Sequence, residues 1–393
     1  MTGHSEQDSL RCFWNDPRYR RLAFQVIAIV SVVAFFAYII DNTLDNLARR
    51  GINTGFDFLT NEAGFGIIQT LIAYDESYTF GRTFLVGLLN TILVSTLGIF
   101  FATALGFLIG VARLSSNWLI ARIAAAYIEI FRNIPLLLQL LFWYFAVLQA
   151  LPSPRQSFSF ENAVFLNIRG LYLPAPVPEA GFWLTPAAFA AAIIAILLLR
   201  RWVRHRREAT GRSFPIVSVS LTVLLGLPLL VFAITDFPLS WELPEFKVFN
   251  FRGGLVVIPE LAALLLALSI YTAAFIAEIV RSGIQAISHG QIEAAYALGL
   301  RRSLTLRLVV IPQAMRVIIP QLTSQYLNLT KNSSLATAVG YPDLVAVFAG
   351  TTLNQTGQAV EVMAMTMGVY LVISLLISLF MNWYNKKMAL VER

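Results

Sequence analysis

The sequence predicts an all-α polytopic membrane protein, and three observations support this fold class. Apolar residues make up 57% of the chain and charged residues only 13%, a composition unlike that of soluble domains. Apolar runs of about 20 residues, the length that a helix needs to cross a bilayer, recur along the whole chain. Arginine residues are concentrated in short segments between these runs, as expected for loops on the cytoplasmic side of a membrane.

The first predicted span is Leu22–Ile40. The preceding segment, Met1–Arg21, is polar and rich in arginine. The apolar run is followed by Asp41-Asn42-Thr43 with no small-residue cleavage pattern beside it, so we expect an uncleaved anchor rather than a signal peptide. Residues 1–82 are therefore predicted to form a cytoplasmic N-terminus, a first span and an external segment.

Six further spans are apparent from hydropathy alone. They are Phe84–Ala112, Ala124–Leu148, Thr185–Leu199, Pro215–Thr235, Leu261–Val280 and Val362–Tyr384. The loop after Thr185–Leu199 contains several arginines and one acid: Arg200, Arg201, Arg204, Arg206, Arg207, Arg212 and Glu208. The positive-inside rule places this loop in the cytoplasm. Alternation along the chain then places the N-terminus and the loop around Glu293 inside, and the segments Pro152–Gly181 and Asp236–Ile258 outside.

An eighth span is predicted between Pro312 and Lys331, although this segment is partly polar. Without it, Lys386 and Lys387 would lie outside the cell, against the positive-inside rule. Four carboxamides recur at the spacing of one helical face: Gln321, Gln325, Asn328 and Asn332, here called the carboxamide stripe. The opposite face carries Ile319, Leu322, Tyr326 and Leu329. Such a helix is tolerated in a membrane when its polar face meets protein or water, and both termini are then predicted to be cytoplasmic.

Several classes of chemistry are disfavoured by the residues that the chain lacks. The one cysteine, Cys12, cannot form an internal disulfide, and the histidines His4, His205 and His289 are far apart in sequence. We therefore expect no metal site and no cofactor, and the positive charge is explained by membrane orientation rather than by nucleic-acid binding. No lysine follows a glycine, so the chain lacks the phosphate-binding loop of nucleotide hydrolases.

The segment from Glu293 to Pro312 is the strongest candidate for an interaction with another protein. Ala294, Ala295 and Gly299 keep one surface of a short predicted helix thin, so that a partner could approach closely. Glu293 is expected near the start of this helix, where the helix dipole favours an acid, and Pro312 is expected to mark re-entry into the membrane. The alternative, at even weight, is an ordinary surface helix between spans.

Three polar groups are candidates for a translocation path. The carboxamide stripe could line such a path, or its side chains could form hydrogen bonds between helices. Glu129 and Arg132, three residues apart near Pro135 in the third span, can pair within the membrane, or they can form a pair at the cytoplasmic interface. Glu278, three residues before Arg281, allows the same two interpretations. Pro135 is also expected to kink the third span.

The pattern Glu293-Ala294-Ala295, Gly299 and Pro312 resembles the cytoplasmic loop of permease subunits in bacterial ABC importers, with Val309 and Ile311 at positions where isoleucine and leucine are more usual. Four further stretches are similar to polar amino-acid uptake permeases. They are Gly87-Leu88-Leu89-Asn90-Thr91-Ile92, Phe131-Arg132-Asn133-Ile134-Pro135-Leu136-Leu137-Leu138-Gln139, Ala277-Glu278-Ile279-Val280-Arg281-Ser282-Gly283 and Lys331-Asn332-Ser333-Ser334-Leu335. Typical members have five core spans. This chain adds a first span and inserts two more, which resembles the larger, Q-type subunits of general L-amino acid permeases.

The resemblance implies a type I ABC importer core over residues 83–385, with inserted spans at about 183–235 and a cytoplasmic tail over residues 386–393. It implies a membrane-spanning permease of the bacterial inner membrane that lets amino acids pass and hydrolyses no ATP itself. The partners that it implies are a second homologous permease in a heterodimer, a cytoplasmic ATPase dimer and a periplasmic amino-acid-binding protein. Glu293, Ala294, Ala295 and Gly299 would form the helix that couples to the ATPase.

Two other classes of function are weaker alternatives. A self-sufficient secondary transporter or channel would be expected to carry ion-coupling acids deep in the spans and inverted repeats, and the predicted spans contain few central acids. A membrane-embedded enzyme would need acids, histidines or a nucleophile pair at one depth, and no such group is apparent.

Overall fold

The computed structural model describes residues 17–49, 54–210 and 214–388. Within these ranges, seven helices are long and apolar enough to cross a membrane, and one bent pair of helices makes an eighth candidate span. The eight candidates correspond one to one to the eight predicted spans, including the partly polar span after Pro312. The predicted N-terminal segment before residue 17, Arg212 and the last five residues of the tail lie outside the described residues.

The helices, numbered in chain order, have the following bounds. They are α1 (Pro17–Arg49), α2 (Phe80–Arg113), α3 (Trp118–Asn133), α4 (Leu136–Leu141), α5 (Leu184–Thr210), α6 (Ile216–Ile234), α7 (Pro259–Gln285), α8 (His289–Ala297), α9 (Arg302–Thr305), α10 (Ile311–Asn332), α11 (Leu353–Thr356) and α12 (Ala359–Met388). Wider π-helical turns occupy Phe142–Leu148, Leu306–Val310 and Val345–Thr352, and tighter 3-10 turns occupy Asp57–Thr60, Pro154–Gln156 and Ser333–Val339.

Eight short strands form in the two segments that flank α5 and α6, which the sequence analysis predicts to be external but for which it predicts no strand. They are β1 (Phe158–Phe160), β2 (Val164–Asn167), β3 (Gly170–Leu173), β4 (Ala175–Pro178), β5 (Leu239–Glu242), β6 (Glu245–Lys247), β7 (Asn250–Arg252) and β8 (Leu255–Val257). They make one antiparallel sheet of order β1-β2-β3-β8 and the two ribbons β4-β5 and β6-β7. Strands of three or four residues are too short for an alternating pattern to be recognised in the sequence.

The chain divides into two compact units, Met1–Ile99 with Ile279–Arg393, and Phe100–Glu278. In the first unit, α2 and the segment after α10 approach each other very closely. A Cβ atom on Gly87 would lie 3.0 Å from the Cα of Leu344, so a side chain at this position would force the backbones apart. The Asn90 side chain donates to the carbonyl of Pro342 (2.9 Å), and the Thr91 hydroxyl accepts from the backbone N–H of Leu344 (2.9 Å).

Asp343 lies within this contact and is fully buried. Its Oδ1 accepts from the backbone N–H of Ala346 (2.8 Å), and its Oδ2 accepts from the Tyr370 hydroxyl (3.3 Å). Burial nevertheless raises the pKa of the Asp343 carboxyl to about 7, because removal from water penalises the charged form more than these hydrogen bonds favour it. Asp343 belongs to the connection between the candidate spans Arg302–Val339 and Ala359–Met388.

In the second unit, the third candidate span is not one straight helix. Its two parts, Trp118–Asn133 and Leu136–Leu148, are bent by 105° relative to each other. This confirms the kink expected from Pro135. The break frees backbone carbonyls, and the buried Gln139 side chain occupies them by donating to the carbonyl of Phe131 (3.0 Å) and to that of Ile134 (2.9 Å). The bend is therefore stabilised by a hydrogen-bond donor that replaces the lost helical N–H groups.

The same unit contains a close contact between α2 and α7. A Cβ atom on Gly106 would lie 2.6 Å from the Cβ of Ile276 and 3.0 Å from the carbonyl oxygen of Ala273. Small residues allow membrane helices to approach in this way. Helices α5 and α6 pack against each other, and within its described residues α6 has no buried residue.

We expect Gly106→Ala to destabilise the purified protein by about 1–3 kcal/mol, because the added methyl group overfills the contact with Ile276. The matched control is Gly368→Ala in α12, where an added Cβ would meet no atom within 4 Å. The control should be neutral or slightly stabilising, because alanine favours the helix. Thermal unfolding in detergent measures both variants, and an equal effect on the two melting temperatures would contradict the close contact.

We also expect the stability of the protein to fall by about 1 kcal/mol between pH 6 and pH 8 through Asp343. The folded-state pKa lies above the unfolded value, so the native state binds the proton more tightly and loses this advantage as the pH rises toward 7. Asp343→Asn cannot titrate and should flatten the dependence. The measurement is the melting temperature of both proteins at pH 6, 7 and 8, and parallel curves would contradict the assignment.

Candidate functional site

The predicted coupling segment forms a short helix, α8, followed by a tight turn. The helix begins after Ser288, whose backbone is extended, and its C-terminal end is closed by the backbone N–H of Leu300, which donates to the carbonyl of Ala295 (3.1 Å). Gly299 adopts φ +74°, a left-handed conformation that glycine adopts without steric cost. The turn predicted at Gly299 is therefore present.

Two details of the predicted segment need correction. Helix α8 begins at His289, so Glu293 lies in its middle rather than in its first turn and gains little from the helix dipole. Helical backbone resumes at Arg302 and continues without interruption to Asn332. Pro312 is therefore an early residue of α10 within a helical run that begins ten residues before it, rather than the start of a new helix, and its place at the membrane boundary stays a prediction.

Exposure divides α8 into two sides. Ala295 is buried at 3% exposure, whereas Glu293, Ala294 and Gly299 are exposed. The sequence analysis missed Leu298, which at 81% exposure is the most exposed large apolar side chain among the described residues. A single exposed leucine is common on protein surfaces, so its exposure alone identifies no interface; its position directly before the turn glycine was the available signal.

The carboxamide stripe lies on one face of α10, as predicted. On the opposite face, Ile319, Leu322 and Leu329 are buried at 1%, 4% and 0% exposure. Gln321 and Asn328 are exposed, and Gln325 and Asn332 are half-buried. The apolar face thus packs within this subunit, and the stripe is open to whatever lies beside it.

Arg316 is a further polar residue on the same helix. It is half-buried, and its Nε and Nη2 atoms are buried without a hydrogen-bond partner among the described residues. A buried cation without a counter-charge is costly. On α10, the guanidinium of Arg316 therefore has hydrogen-bond donors without acceptors in the described part of the chain.

Glu129 and Arg132 form no ion pair with each other among the described residues. Both side chains are exposed. The Arg132 guanidinium instead lies 5.3 Å from the centre of the Phe275 ring. A cation over an aromatic face keeps its charge while its stem covers apolar surface. Glu278 is half-buried on α7, and the guanidinium of Arg281, in the next turn, donates to the side chain of Gln285.

Comparison of the sequence with known proteins places the chain in a family. Residues 210–390 match the family described as binding-protein-dependent transport system inner membrane component. The putative amino-acid ABC transporter permease protein YhdX of Escherichia coli (strain K12) is 56% identical over 381 residues, covering 96% of each chain. The chain belongs to this family of ABC transporter permeases.

Two further relatives match nearly their full length. The general L-amino acid transport system permease protein AapQ of Rhizobium johnstonii is 52% identical over 390 residues, which cover 99% of this chain and 97% of the relative. The glutamate/glutamine/aspartate/asparagine transport system permease protein BztB of Rhodobacter capsulatus is 44% identical over 410 residues, covering 96% of each. The chain is therefore an integral inner-membrane permease subunit of an ABC importer, and the resemblance seen in the sequence is confirmed.

Proposed function

We propose that this permease subunit forms part of the path through which an ATP-driven importer brings L-amino acids into the cytoplasm. The observation that carries the proposal is the near full-length similarity to three permeases whose names all specify amino-acid transport. The described helices fit this role, because they include enough apolar spans to surround a path and a helix that carries an open row of carboxamides.

The proposed partners are a second homologous permease, a cytoplasmic ATPase dimer and a periplasmic amino-acid-binding protein. The family description, an inner membrane component of a binding-protein-dependent system, supports such an assembly. Both termini are proposed to be cytoplasmic. In support, Arg20 and Arg21 lie at the start of α1, and Lys386 and Lys387 lie at the end of α12, where the positive-inside rule favours the cytoplasm.

Helix α8 is proposed to seat in a groove of the ATPase. The exposed Glu293 and Ala294 would face the ATPase, Leu298 would enter an apolar pocket, and Gly299 would allow the chain to leave the groove sharply. Closure of the ATPase dimer would then move α8 together with the helical run that begins at Arg302 and includes Pro312. This movement would switch the path between outward and inward opening.

The carboxamide stripe is proposed to line the path. Its exposed members Gln321 and Asn328 can donate to and accept from a polar substrate, and they lie on the face of α10 that this subunit leaves uncovered. Glu129, Arg132 and Glu278 are proposed as charged groups near the path. Two similar permeases facing each other would enclose it between their stripes.

We expect Gly299→Glu to abolish co-purification of the ATPase without affecting membrane insertion. The substitution adds bulk and charge to a position that is open within the subunit, and it strains a backbone at φ +74°. Gly357→Glu is the matched control, because Gly357 has φ +69° and is equally open but lies on the side proposed to be external. Affinity purification of co-expressed subunits measures the effect.

The comparison of these two variants separates docking from folding. Loss of the ATPase with Gly299→Glu and retention with Gly357→Glu would support the coupling role. Retention of the ATPase by both variants, or its loss from both at unchanged permease yield, would contradict the coupling role.

We expect Asn328→Leu to reduce ATP-driven amino-acid uptake about tenfold, because a carboxamide that bonds to the substrate is removed. ATP hydrolysis by the assembled importer should persist. Asn382→Leu in α12 is the control, since it removes an exposed carboxamide from another spanning helix. The measurement is uptake of radiolabelled L-amino acids into proteoliposomes with internal ATP. Weakened assembly with unchanged uptake per complex would instead favour the hydrogen-bonding role between helices.

A further inference from the structure

The inserted helices α5 and α6 leave a groove between them at the arginine-rich end of α5. The groove has a volume of about 380 Å³ and is lined mainly by apolar side chains, among them Ile193, Leu197, Val217 and Leu221. Its polar lining residues are Arg200 and Ser220. A groove of this composition fits a ligand with an apolar chain and a polar end.

The surroundings indicate that lipid reaches this groove. Within its described residues α6 has no buried residue, and Leu197 and Leu221 are 59% and 52% exposed. Exposed leucines on a membrane-spanning helix pair face hydrocarbon. From Ile193 to Arg200 the groove follows α5 for about 10 Å, at 1.5 Å per residue, so an acyl chain that lies along it ends beside a guanidinium.

The charge at this end of the groove favours an anion. Arg201 and Arg204 lie next to Arg200 in sequence, and none of these three arginines is in an ion pair among the described residues. The nearby acid, Glu208, lies 3.7 Å from the Nδ1 atom of His205. Arginine clusters directly beside a membrane span attract anionic lipid head groups.

Ser220 is the other polar residue of the groove lining. Its hydroxyl oxygen is buried within the groove lining and has no hydrogen-bond partner among the described residues. A serine in a membrane helix commonly donates to the carbonyl four residues earlier, and Ser220 does not. Because this oxygen is closed to solvent, it does not contact a ligand in the groove, and the polar contact is left to Arg200.

From these observations we propose that the groove between α5 and α6 is a binding site for one anionic phospholipid. The acyl chain lies between Ile193, Leu197 and Leu221, and the phosphate is held by the Arg200 guanidinium. A free phosphate would engage Arg200 but leave the apolar groove unfilled, and an apolar helix would leave Arg200 without a counter-charge. The phospholipid is the occupant that satisfies both ends, and it would attach the inserted pair to the surrounding leaflet.

The test is native mass spectrometry of the full-length permease in detergent, titrated with phosphatidylglycerol or with phosphatidylcholine of the same acyl chains. Wild type should bind phosphatidylglycerol preferentially. Arg200→Gln should weaken that binding about fivefold, whereas Arg201→Gln, which removes the same charge from a position outside the groove lining, should change it less than about twofold. Arg200→Lys keeps the charge and should retain most of the preference.

A second pair of variants tests the position of the acyl chain. Leu221→Trp fills the groove and should reduce phosphatidylglycerol binding, while Leu230→Trp, at a leucine of similar exposure (56%) on the opposite face of α6, should not. Glycerol 3-phosphate, which has the head-group charge without the chain, should bind no variant measurably. Tight binding of glycerol 3-phosphate would indicate a simple anion site and overturn the proposal.

The remaining outcomes are equally decisive. Equal losses in Arg200→Gln and Arg201→Gln would show diffuse attraction to the arginine cluster instead of a site. An unchanged affinity of Leu221→Trp for phosphatidylglycerol would show that the acyl chain does not lie in the groove. Displacement of lipid from the wild type by a partner permease would show that the groove is a subunit interface. Should Arg200→Gln elute as aggregate in size exclusion, the Arg200→Lys and Leu221→Trp results decide.

Discussion

The bilayer imposes the constraint on which this structure depends, because every backbone polar group within it must find a partner inside the protein. The break between α3 and α4 meets that requirement through Gln139, which donates to the carbonyls of Phe131 and Ile134. The segment after α10, which connects two candidate spans, is held in a similar way by Asn90 and Thr91, which bind the backbone of residues 342–344. Irregular backbone is possible at both places only because a side chain from a neighbouring turn or helix replaces the missing helical hydrogen bond.

Hydropathy and charge placement were sufficient to predict all eight spans, because the length of an apolar run and the arginines beside it are local properties of the sequence. The span that contains α10 could be predicted because Gln325 and Asn328 fall on one face of a helix and Leu322 and Leu329 fall on the opposite face. The eight strands were not predictable, since pairs such as Leu171 with Val257 join residues on either side of the helices α5 and α6. The 105° bend was predictable at Pro135 in position but not in size, which is decided by packing.

The candidate site shows the same division between local and assembled properties. The turn at Gly299 and the polar face of α10 follow from residue types and spacing, and the structure contains both. The start of α8 at His289 and the exposure of Leu298 depend on how neighbouring segments fold, and neither was anticipated. An ion pair between Glu129 and Arg132 was allowed by spacing, yet Arg132 lies over Phe275, because an exposed pair gains little in free energy and the aromatic ring lies within reach of the guanidinium.

Paired strands hold together the two ends of the segment that contains α5 and α6. Strand β5 pairs with β4, from Ala175 with Glu242 to Pro178 with Leu239, so the entry to α5 and the exit from α6 are held together by backbone hydrogen bonds. Strand β8 then pairs with β3 directly before α7 begins. The helix pair α5 and α6 is therefore bounded on both sides by strands that pair with each other.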